Sequence, residues 1–289
     1  MAQTQILKRR LRSVGNTQQI TKAMELVSAA KMRRVVAAAG QARIYSDCVI
    51  AILNRLIGSV EAQHSPYFIP APSKNKLYIV FTSDSGLAGA YNSNIFNLAN
   101  KAFKEDLAKG LKPHVIAFGK KGARHFSYSS AIELIGDYEG IADYPDINVF
   151  APVLEVIKHG IEDGKYASVD LIYTEFRSSL NQVARSLQLI PVETPDTQSD
   201  KKDDIVFEFE PTAEVVLQEA LRIYFESSLR RARIEAAASE HAMRMMSMNN
   251  ANRNAGDLID NLRLELNATR QAAITQEMAE IIGGANAIS

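Results

Sequence analysis

The last stretch of the chain, residues 211–289, constrains the fold more than any other feature. Within this stretch, no proline follows Pro211 and the first glycine is Gly256. Ala, Leu, Glu, Arg and Met, which favour helix, are abundant there. At ~1.5 Å per residue, a continuous helix here would reach on the order of 100 Å, several times the average globular helix. Such a helix cannot be buried in one compact core. It therefore predicts a partner helix, and Thr212 is its predicted N-cap.

The comparable stretch lies at the opposite end of the chain, in residues 4–58. Apolar residues there recur three and four positions apart, as on one face of a helix, beginning with Leu7 and Leu11. This stripe drifts around the helix, as a supercoiled contact surface does. A similar stripe begins at Leu217 and Leu221. We therefore predict that the two terminal helices pair as an antiparallel coiled coil, which forms a shaft.

Between the two helices, short apolar runs alternate with helical stretches. This alternation predicts an inserted, Rossmann-like α/β domain with a largely parallel sheet. The predicted strands are 77–82, 114–118, 132–135, 169–176 and 186–192, and the predicted helices are 92–109, 120–128 and 147–163. The predicted organisation is an N-terminal helix 1–60, a linker 61–75, the α/β domain 76–195, an acidic loop 196–210 and a C-terminal helix 211–289.

Composition adds constraints on location and partners. The formal net charge is zero, but residues 1–43 carry nine basic side chains and one acid, Glu25. This Arg-rich start also fits a mitochondrial transit peptide, although the pattern continues for ~55 residues without a break. The lone Cys48 excludes an intramolecular disulfide and fits a reducing compartment; beside Val49 it is expected to be a small core residue. No apolar run approaches the ~18–20 residues of a membrane span, so no span is expected.

Two glycine-containing loops are the candidates for phosphate binding. Residues 83–89 follow the first strand and precede a helix, where α/β proteins often bind phosphate. They lack both the dinucleotide fingerprint and the Gly-Lys-Ser/Thr of a P-loop, and a tight turn explains the glycines as well. Residues 119–122 are a weaker candidate of the same kind. The five histidines show no metal-ligand spacing. We predict no catalytic site, no cofactor and no metal.

The charged N-terminal helix and the uncharged C-terminal tip leave two alternatives each. Basic residues along a helix fit nucleic-acid binding, but no aromatic residue precedes Tyr45, which favours a solvated rod surface facing acidic partner loops. After Glu280 the chain has no charged side chain. That tip is either a disordered tail or a segment held in an apolar sleeve of other subunits.

The terminal motifs resemble the γ subunit of F-type ATP synthases. Residues 16–27 and 29–34 look like the N-terminal helix of that family, and residues 270–285 resemble its C-terminal signature. The resemblance covers essentially the full length and includes residues 82–95. It departs from the common Arg, Cys and Gly of the family at three positions, which are Ser85, Ala88 and Ala90.

The resemblance implies a rotor shaft that couples ion-driven rotation of a membrane ring to conformational change at catalytic sites on β subunits. The implied partners are the α, β and ε subunits and the ring of c subunits, with no nucleic acid and with membrane association only through the complex. The implied location is the cytoplasmic face of a bacterial inner membrane. The alternatives are a nucleotide-binding α/β protein with coiled-coil arms and a basic coiled-coil nucleic-acid binder.

The resemblance also assigns residues to contacts. Residues expected to meet the ring of α and β subunits are Met24, Arg244, Arg270, Gln271, Thr275, Ile281 and Ile282. Residues expected near the membrane ring and ε are Phe207, Phe209 and Glu210, and the positive rod surface is Lys31, Arg33 and Arg34. For Met24, packing within the coiled coil is the alternative to a partner contact.

Overall fold

In the computed structural model, the described residues are 2–56, 65–192, 210 and 212–288. Two long helices lie at the ends of the chain, α1 (Ala2–Leu56) and α5 (Ala213–Ile288). Thr212 precedes α5 directly, and its Oγ1 accepts the Val215 N–H at 3.4 Å, as predicted for the N-cap. The two predicted terminal helices are thereby confirmed.

The inserted segment alternates strands and helices. Its elements in chain order are β1 (Asn75–Phe81), α2 (Tyr91–Ala108), β2 (Lys112–Phe118), α3 (Lys120–Ser127), β3 (Glu133–Tyr138), a 3₁₀ turn (Ile147–Phe150), α4 (Ala151–Glu162), β4 (Ser168–Phe176) and β5 (Gln182–Ile190). The helix predicted from position 147 therefore begins with a 3₁₀ turn, where Asp146 accepts the Asn148 N–H at 3.0 Å.

The five strands form one sheet in the order β3-β2-β1-β4-β5. The first four are parallel, and β5 pairs antiparallel with β4. The predicted, largely parallel sheet is confirmed, but the predicted start of the last strand at residue 186 is wrong because β5 begins at Gln182. The missed residues lie at a sheet edge and are only half-buried, so they lack the apolar run that marks a central strand.

The sheet is covered on both faces. Alternate residues of β1 serve the two layers, since successive side chains of a strand point to opposite faces. Tyr78 and Val80 pack with the residues of α2, such as Ile95. Ile79 and Phe81 belong to a cluster that contains α4 and residues from both long helices, which are Val49, Leu53, Leu217, Leu221, Tyr224, Phe225, Leu229, Ala232 and Ala236.

The chain divides into two compact units. The larger is Ala30–Met243, in which Asp47 pairs with Arg231 and Arg43 with Glu235, so that higher numbers on α1 meet lower numbers on α5. Small residues allow a close approach there, in a cluster of Val35, Ala39, Ile234, Ala237 and Ala238.

The smaller unit is Met1–Ala29 with Arg244–Ser289. There Glu25 accepts a hydrogen bond from Asn249 at 3.1 Å, and Gln18 lies beside Gly256. Numbers again rise on one helix as they fall on the other, so the helices are antiparallel in each unit. The predicted linker and acidic loop lie partly or largely outside the described residues, and those boundaries stay predictions.

Helix α1 contains a stretch, within Thr4–Asn54, that is long and apolar enough to cross a membrane by length and composition alone. The expectation that no stretch would qualify is therefore wrong by this measure, because it considered only unbroken apolar runs. The same helix carries Arg43 and Asp47, whose partners on α5 lie at 3.0 and 2.9 Å. Charged side chains are costly in hydrocarbon, so these pairs favour packing against α5.

Candidate functional site

The loop after β1 contributes the carboxylate of Asp84 to the N-terminus of α3. The Asp84 carboxylate accepts the Lys120 N–H, at the N-terminus of α3, at 2.9 Å and the Gly140 N–H at 3.1 Å. A helix N-terminus is where a phosphate would bind, and here a side chain of the chain satisfies it. The filled N-terminus is that of α3, which begins within residues 119–122, so this contact favours the structural interpretation of that second loop. In residues 83–89, the Ser83 N–H donates to Asn92 Oδ1 of α2 at 3.1 Å, which holds the loop against that helix.

The second glycine-containing loop is explained by packing against β1. Thr82 Oγ1 donates to the Phe118 carbonyl at 2.8 Å and accepts the Gly122 N–H at 2.9 Å. Gly119 has φ +96°, and a Cβ there would lie 2.4 Å from the Thr82 carbonyl oxygen. Only glycine fits that position, so close approach and left-handed backbone account for it.

The three departures from the family pattern lie in the same loop. Ser83 Oγ donates to the Ser85 carbonyl at 2.7 Å, and Asn92 donates to Ser83 Oγ at the same distance. Ala88 is buried, whereas Ala90 is exposed. Hydrogen bonds of Ser83 and Asn92 thus help to fix the loop conformation.

Among the described residues, no group of three His, Cys, Asp or Glu side chains could hold a metal ion. Cys48 is exposed, so its expected core position is wrong. Val49 and Leu53, one helical turn apart, face the core instead. Neighbouring positions on a helix point ~100° apart, which turns Cys48 outward.

Met24 lies half-buried in the smaller unit, between the buried Thr21 and Ser28. Its neighbour Glu25 pairs with Lys22 at 3.2 Å. The pKa of Glu25 lies below its ordinary value, chiefly because Asn249 donates a hydrogen bond to the carboxylate. A half-buried position is compatible with both packing and partner contact, so the role of Met24 stays a prediction.

The polar residues predicted to contact the α and β subunits fall into two environments. Arg270, Gln271 and Thr275 are exposed and lie within about one and a half turns of α5. Thr275 Oγ1 donates to the Gln271 carbonyl at 2.9 Å. Arg244 is different, because only 7% of it is exposed and it has polar contacts of its own. The structure therefore groups the first three and separates Arg244 from them.

The C-terminal part of α5 exposes an apolar column that the sequence interpretation only partly found. Ile281 and Ile282 are 71% and 58% exposed. Ile274 and Met278 are exposed too, and with Ile282 they recur every four residues along one face. We call Ile274, Met278 and Ile282 the apolar column. The four-residue spacing was the signal that could have identified its first two members.

Of the three residues assigned to the membrane-ring side, only Glu210 is among the described residues. Phe207 and Phe209 lie outside the described residues. Glu210 is exposed and lines a 370 Å³ groove with Val49, Ile52 and Val215. Glu210 is therefore available for contact beside an apolar groove.

The three residues predicted to form a positive surface stay a prediction as a partner contact, and the structure gives their exposure. Lys31, Arg33 and Arg34 are exposed on α1, and none has a carboxylate within 4 Å in the described part of the chain. Sequence reasoning missed a second set of charges on α5, which is buried. Glu235 is 0% exposed and pairs with Arg43 at 3.0 Å and with Arg231 at 3.2 Å.

Known proteins resemble this chain over nearly its whole length. A family model described as ATP synthase matches residues 3–288. The ATP synthase gamma chain of Moorella thermoacetica is 38% identical over 288 residues and 100% of each chain, and that of Heliobacterium modesticaldum is 35% identical over 290 residues and 98% of each.

Solved structures share the fold at lower identity. The rotor of the Euglena gracilis mitochondrial ATP synthase matches with a TM-score of 0.66 and 15% identity, over 94% of this chain and 99% of that one. The central stalk and c-ring structure of the Tetrahymena thermophila mitochondrial enzyme matches with a TM-score of 0.61 and 22% identity, over 80% and 99%. The long paired helices and the inserted sheet are therefore an arrangement found in other proteins.

Proposed function

Because this chain belongs to the family of ATP synthase γ chains, we propose that it is the central-stalk rotor subunit of an F-type ATP synthase. Its paired helices form the shaft that carries ion-driven rotation of a membrane ring to the catalytic sites on β subunits. In this role the subunit serves ATP synthesis and ion transport without catalysing either.

The observation that carries the proposal is the uneven burial of α5. Residues 232–242 are buried on all sides by this chain, whereas none of the described side chains from 264 to 282 is buried. A helix that exposes the apolar column in water requires a cover, since exposed apolar surface of this kind marks an interaction site. A ring of α and β subunits around that part of α5 supplies the cover.

The contacts follow from the exposed side chains. Arg270, Gln271 and Thr275 offer hydrogen bonds to loops of the α and β subunits, while Ile281 and Ile282 add an uncharged surface. An uncharged surface suits a turning contact, because it forms no fixed ionic partner. Met24 and Arg244 complete the proposed set. Lys31, Arg33 and Arg34 present positive charge to acidic partner loops.

At the other end of α5, Glu210 and the residues Phe207 and Phe209 are proposed to lie near the c ring and the ε subunit. The 370 Å³ groove beside Glu210 supports a partner contact there. Membrane association then comes only through the complex. The curated relatives named above are bacterial proteins, which supports a location on the cytoplasmic face of the inner membrane.

We also propose that the chain has no catalytic site, cofactor or nucleic-acid partner of its own. Support comes from Asp84, whose carboxylate accepts the Lys120 N–H at the N-terminus of α3, beside the second candidate loop, residues 119–122. Equilibrium binding of ATP or NAD to the isolated chain at micromolar affinity would contradict this. A steep salt-dependent affinity for duplex DNA would favour the nucleic-acid alternative instead.

The decisive experiment is reconstitution with α and β subunits. With this chain present, the assembly should hydrolyse ATP several-fold faster than α and β alone, and a probe attached to it should rotate in one direction. Assembly and hydrolysis that are identical with and without the chain would refute the rotor assignment.

A further inference from the structure

The segment between β3 and the 3₁₀ turn contacts α5 through polar groups, chief among them the Asp143 carboxylate. Asp143 Oδ2 is 2.8 Å from His241 Nε2, and Asp143 Oδ1 is 3.4 Å from Arg233 Nη2. The same Arg233 nitrogen donates to the Ile141 carbonyl at 2.7 Å. We call Asp143, Arg233 and His241 the Asp143 clamp. All of it lies within the unit Ala30–Met243.

The Asp143 clamp is largely shielded from water. The side chains of Arg233 and His241 are 9% and 6% exposed, and that of Asp143 is 33% exposed. Next to it, the Arg230 guanidinium lies 4.6 Å from the centre of the Tyr144 ring. Charge-assisted hydrogen bonds in such a setting are stronger than exposed ones.

The sheet packs on α5 chiefly through apolar side chains, and Ser239 Oγ of α5 donates to the Thr174 carbonyl of β4 at 3.2 Å. The core that joins them contains side chains such as Leu221, Phe225 and Leu229 of α5. Apolar attraction is non-directional, so a small rotation of the domain about the helix would keep most of it. Hydrogen bonds have a narrow range of distance and angle, and they define a register.

We propose that the Asp143 clamp fixes the rotational register of the α/β domain on α5, so that torque passes between them through directional contacts. This rests on the proposed rotor function. Asp143, Arg233 and His241 are positioning residues in this proposal, because none contacts a reacting group.

Charges from two elements face Asp143. Arg233 and His241 come from α5, and Lys31 comes from α1. Burial alone would raise the pKa of Asp143, but the His241 hydrogen bond and the positive charges of Arg233 and Lys31 bring the pKa below its ordinary value. The ionised carboxylate is therefore the state that the surroundings favour.

A distance measurement on the full chain tests the register. Spin labels at Glu139 and Gln218, both exposed, would report the position of the segment relative to α5, after Cys48→Ser removes the native thiol. In the unaltered clamp we expect one narrow distance distribution. Asp143→Asn, which keeps the size but removes the charge, should raise the population of displaced segment about tenfold, equivalent to ~1.4 kcal/mol.

Matched variants separate the clamp from general damage. Asp137→Asn is the control, because that carboxylate is exposed on β3 and has no ion pair among the residues the structure describes. His241→Gln should widen the distribution as Asp143→Asn does, whereas Asp143→Glu should restore part of it. A distribution unchanged by both Asp143→Asn and His241→Gln would overturn the proposal.

The coupling measurement uses the assembled synthase. Asp143→Asn should leave unloaded ATP hydrolysis unchanged but lower ATP synthesis against an ion gradient several-fold, with partial recovery in Asp143→Glu. Equal synthesis in Asp143→Asn and the parent would overturn the torque role even if the register changes. Failure of the parent chain to join α and β subunits would instead refute the proposed function, so the two failures are distinguishable.

Discussion

Two parts of one helix, α5, differ in what surrounds them. Residues 232–242 are buried completely, including charged side chains such as Glu235, and their neighbours belong to the same chain. Residues 264–282 have no buried side chain among those described. One continuous helix therefore contains a segment that this chain buries and a segment whose side chains it leaves exposed. Helix formation alone does not distinguish them; the environment does.

Charge has different consequences in the two parts. Glu235 is 0% exposed and contacts two arginines, and an unpaired charge at such a buried position is costly. Asp260 and Arg263 form a pair at 3.2 Å with side chains 74% and 62% exposed, which is worth little in water. A contact between arginine and a carboxylate thus constrains the fold in one place and contributes little at the exposed surface in the other.

The largest effect is expected from breaking the buried charge site. Glu235→Gln leaves Arg43 and Arg231 without their shared carboxylate. Because the Arg43 side chain is 44% exposed and Arg231 keeps its pair with Asp47, the loss should be below the 3–5 kcal/mol of a fully buried pair, about 2.5 kcal/mol. Chemical denaturation of the full chain measures it. Asp260→Asn is the matched control and should change the unfolding free energy by less than about 0.5 kcal/mol.

A smaller loss of stability is expected when side-chain volume is added where α1 and α5 are in close contact. Ala237 is buried where α1 and α5 approach closely, beside Val35 and Ala39. Ala237→Leu should destabilise the chain by about 2 kcal/mol, because the added carbons force the helices apart. Ala272→Leu, at an exposed position, should be nearly neutral in the same denaturation experiment. Equal effects of the two would erase the distinction between the parts of α5.

The contribution of Asp143 to the unfolding free energy, which depends on pH, should be smaller again. The pKa of Asp143 is lowered by His241, Arg233 and Lys31, so its contribution is fully present above the unfolded pKa of about 3.9 and is lost as pH falls through the lower folded pKa. Asp143→Asn should remove about 1 kcal/mol at pH 6 and less at pH 3. A difference in unfolding free energy between parent and variant that stays constant from pH 6 to pH 3 would contradict this.

Sequence reasoning found what depends on local pattern. The two helices, the parallel strands and the Thr212 cap follow from spacing and residue type, and the structure confirms them. It missed the first residues of β5, which have no apolar run. It also placed Cys48 in the core, although that side chain is exposed. Periodicity shows that a face exists but does not show which element packs against it.

The candidate site was harder to predict for the same reason. The Asp143 clamp joins residues 90 to 98 positions apart, and nothing in the neighbourhood of Arg233 or His241 in the sequence indicates Asp143. Likewise, Asp84 caps a helix 36 residues away. Contacts of this separation depend on the completed fold. The family resemblance assigned Arg270, Gln271 and Thr275 to contacts with other subunits, but it had no means of identifying either of these internal contacts.

The smallest effect on stability is expected at the apolar column, where the largest effect on assembly should follow. Ile274→Ser with Met278→Ser changes two exposed side chains that make no core contact in the described structure, so the unfolding free energy should move by less than about 0.5 kcal/mol. In the reconstituted assembly the same double variant should bind the α and β subunits several-fold more weakly, because buried apolar surface is lost there. Leu258→Ser, exposed on α5 outside residues 264–282, is the control for the loss of any apolar side chain. If the double variant destabilises the isolated chain and leaves assembly unchanged, the column is covered by this chain rather than by partners, and the contrast between the two parts of α5 fails.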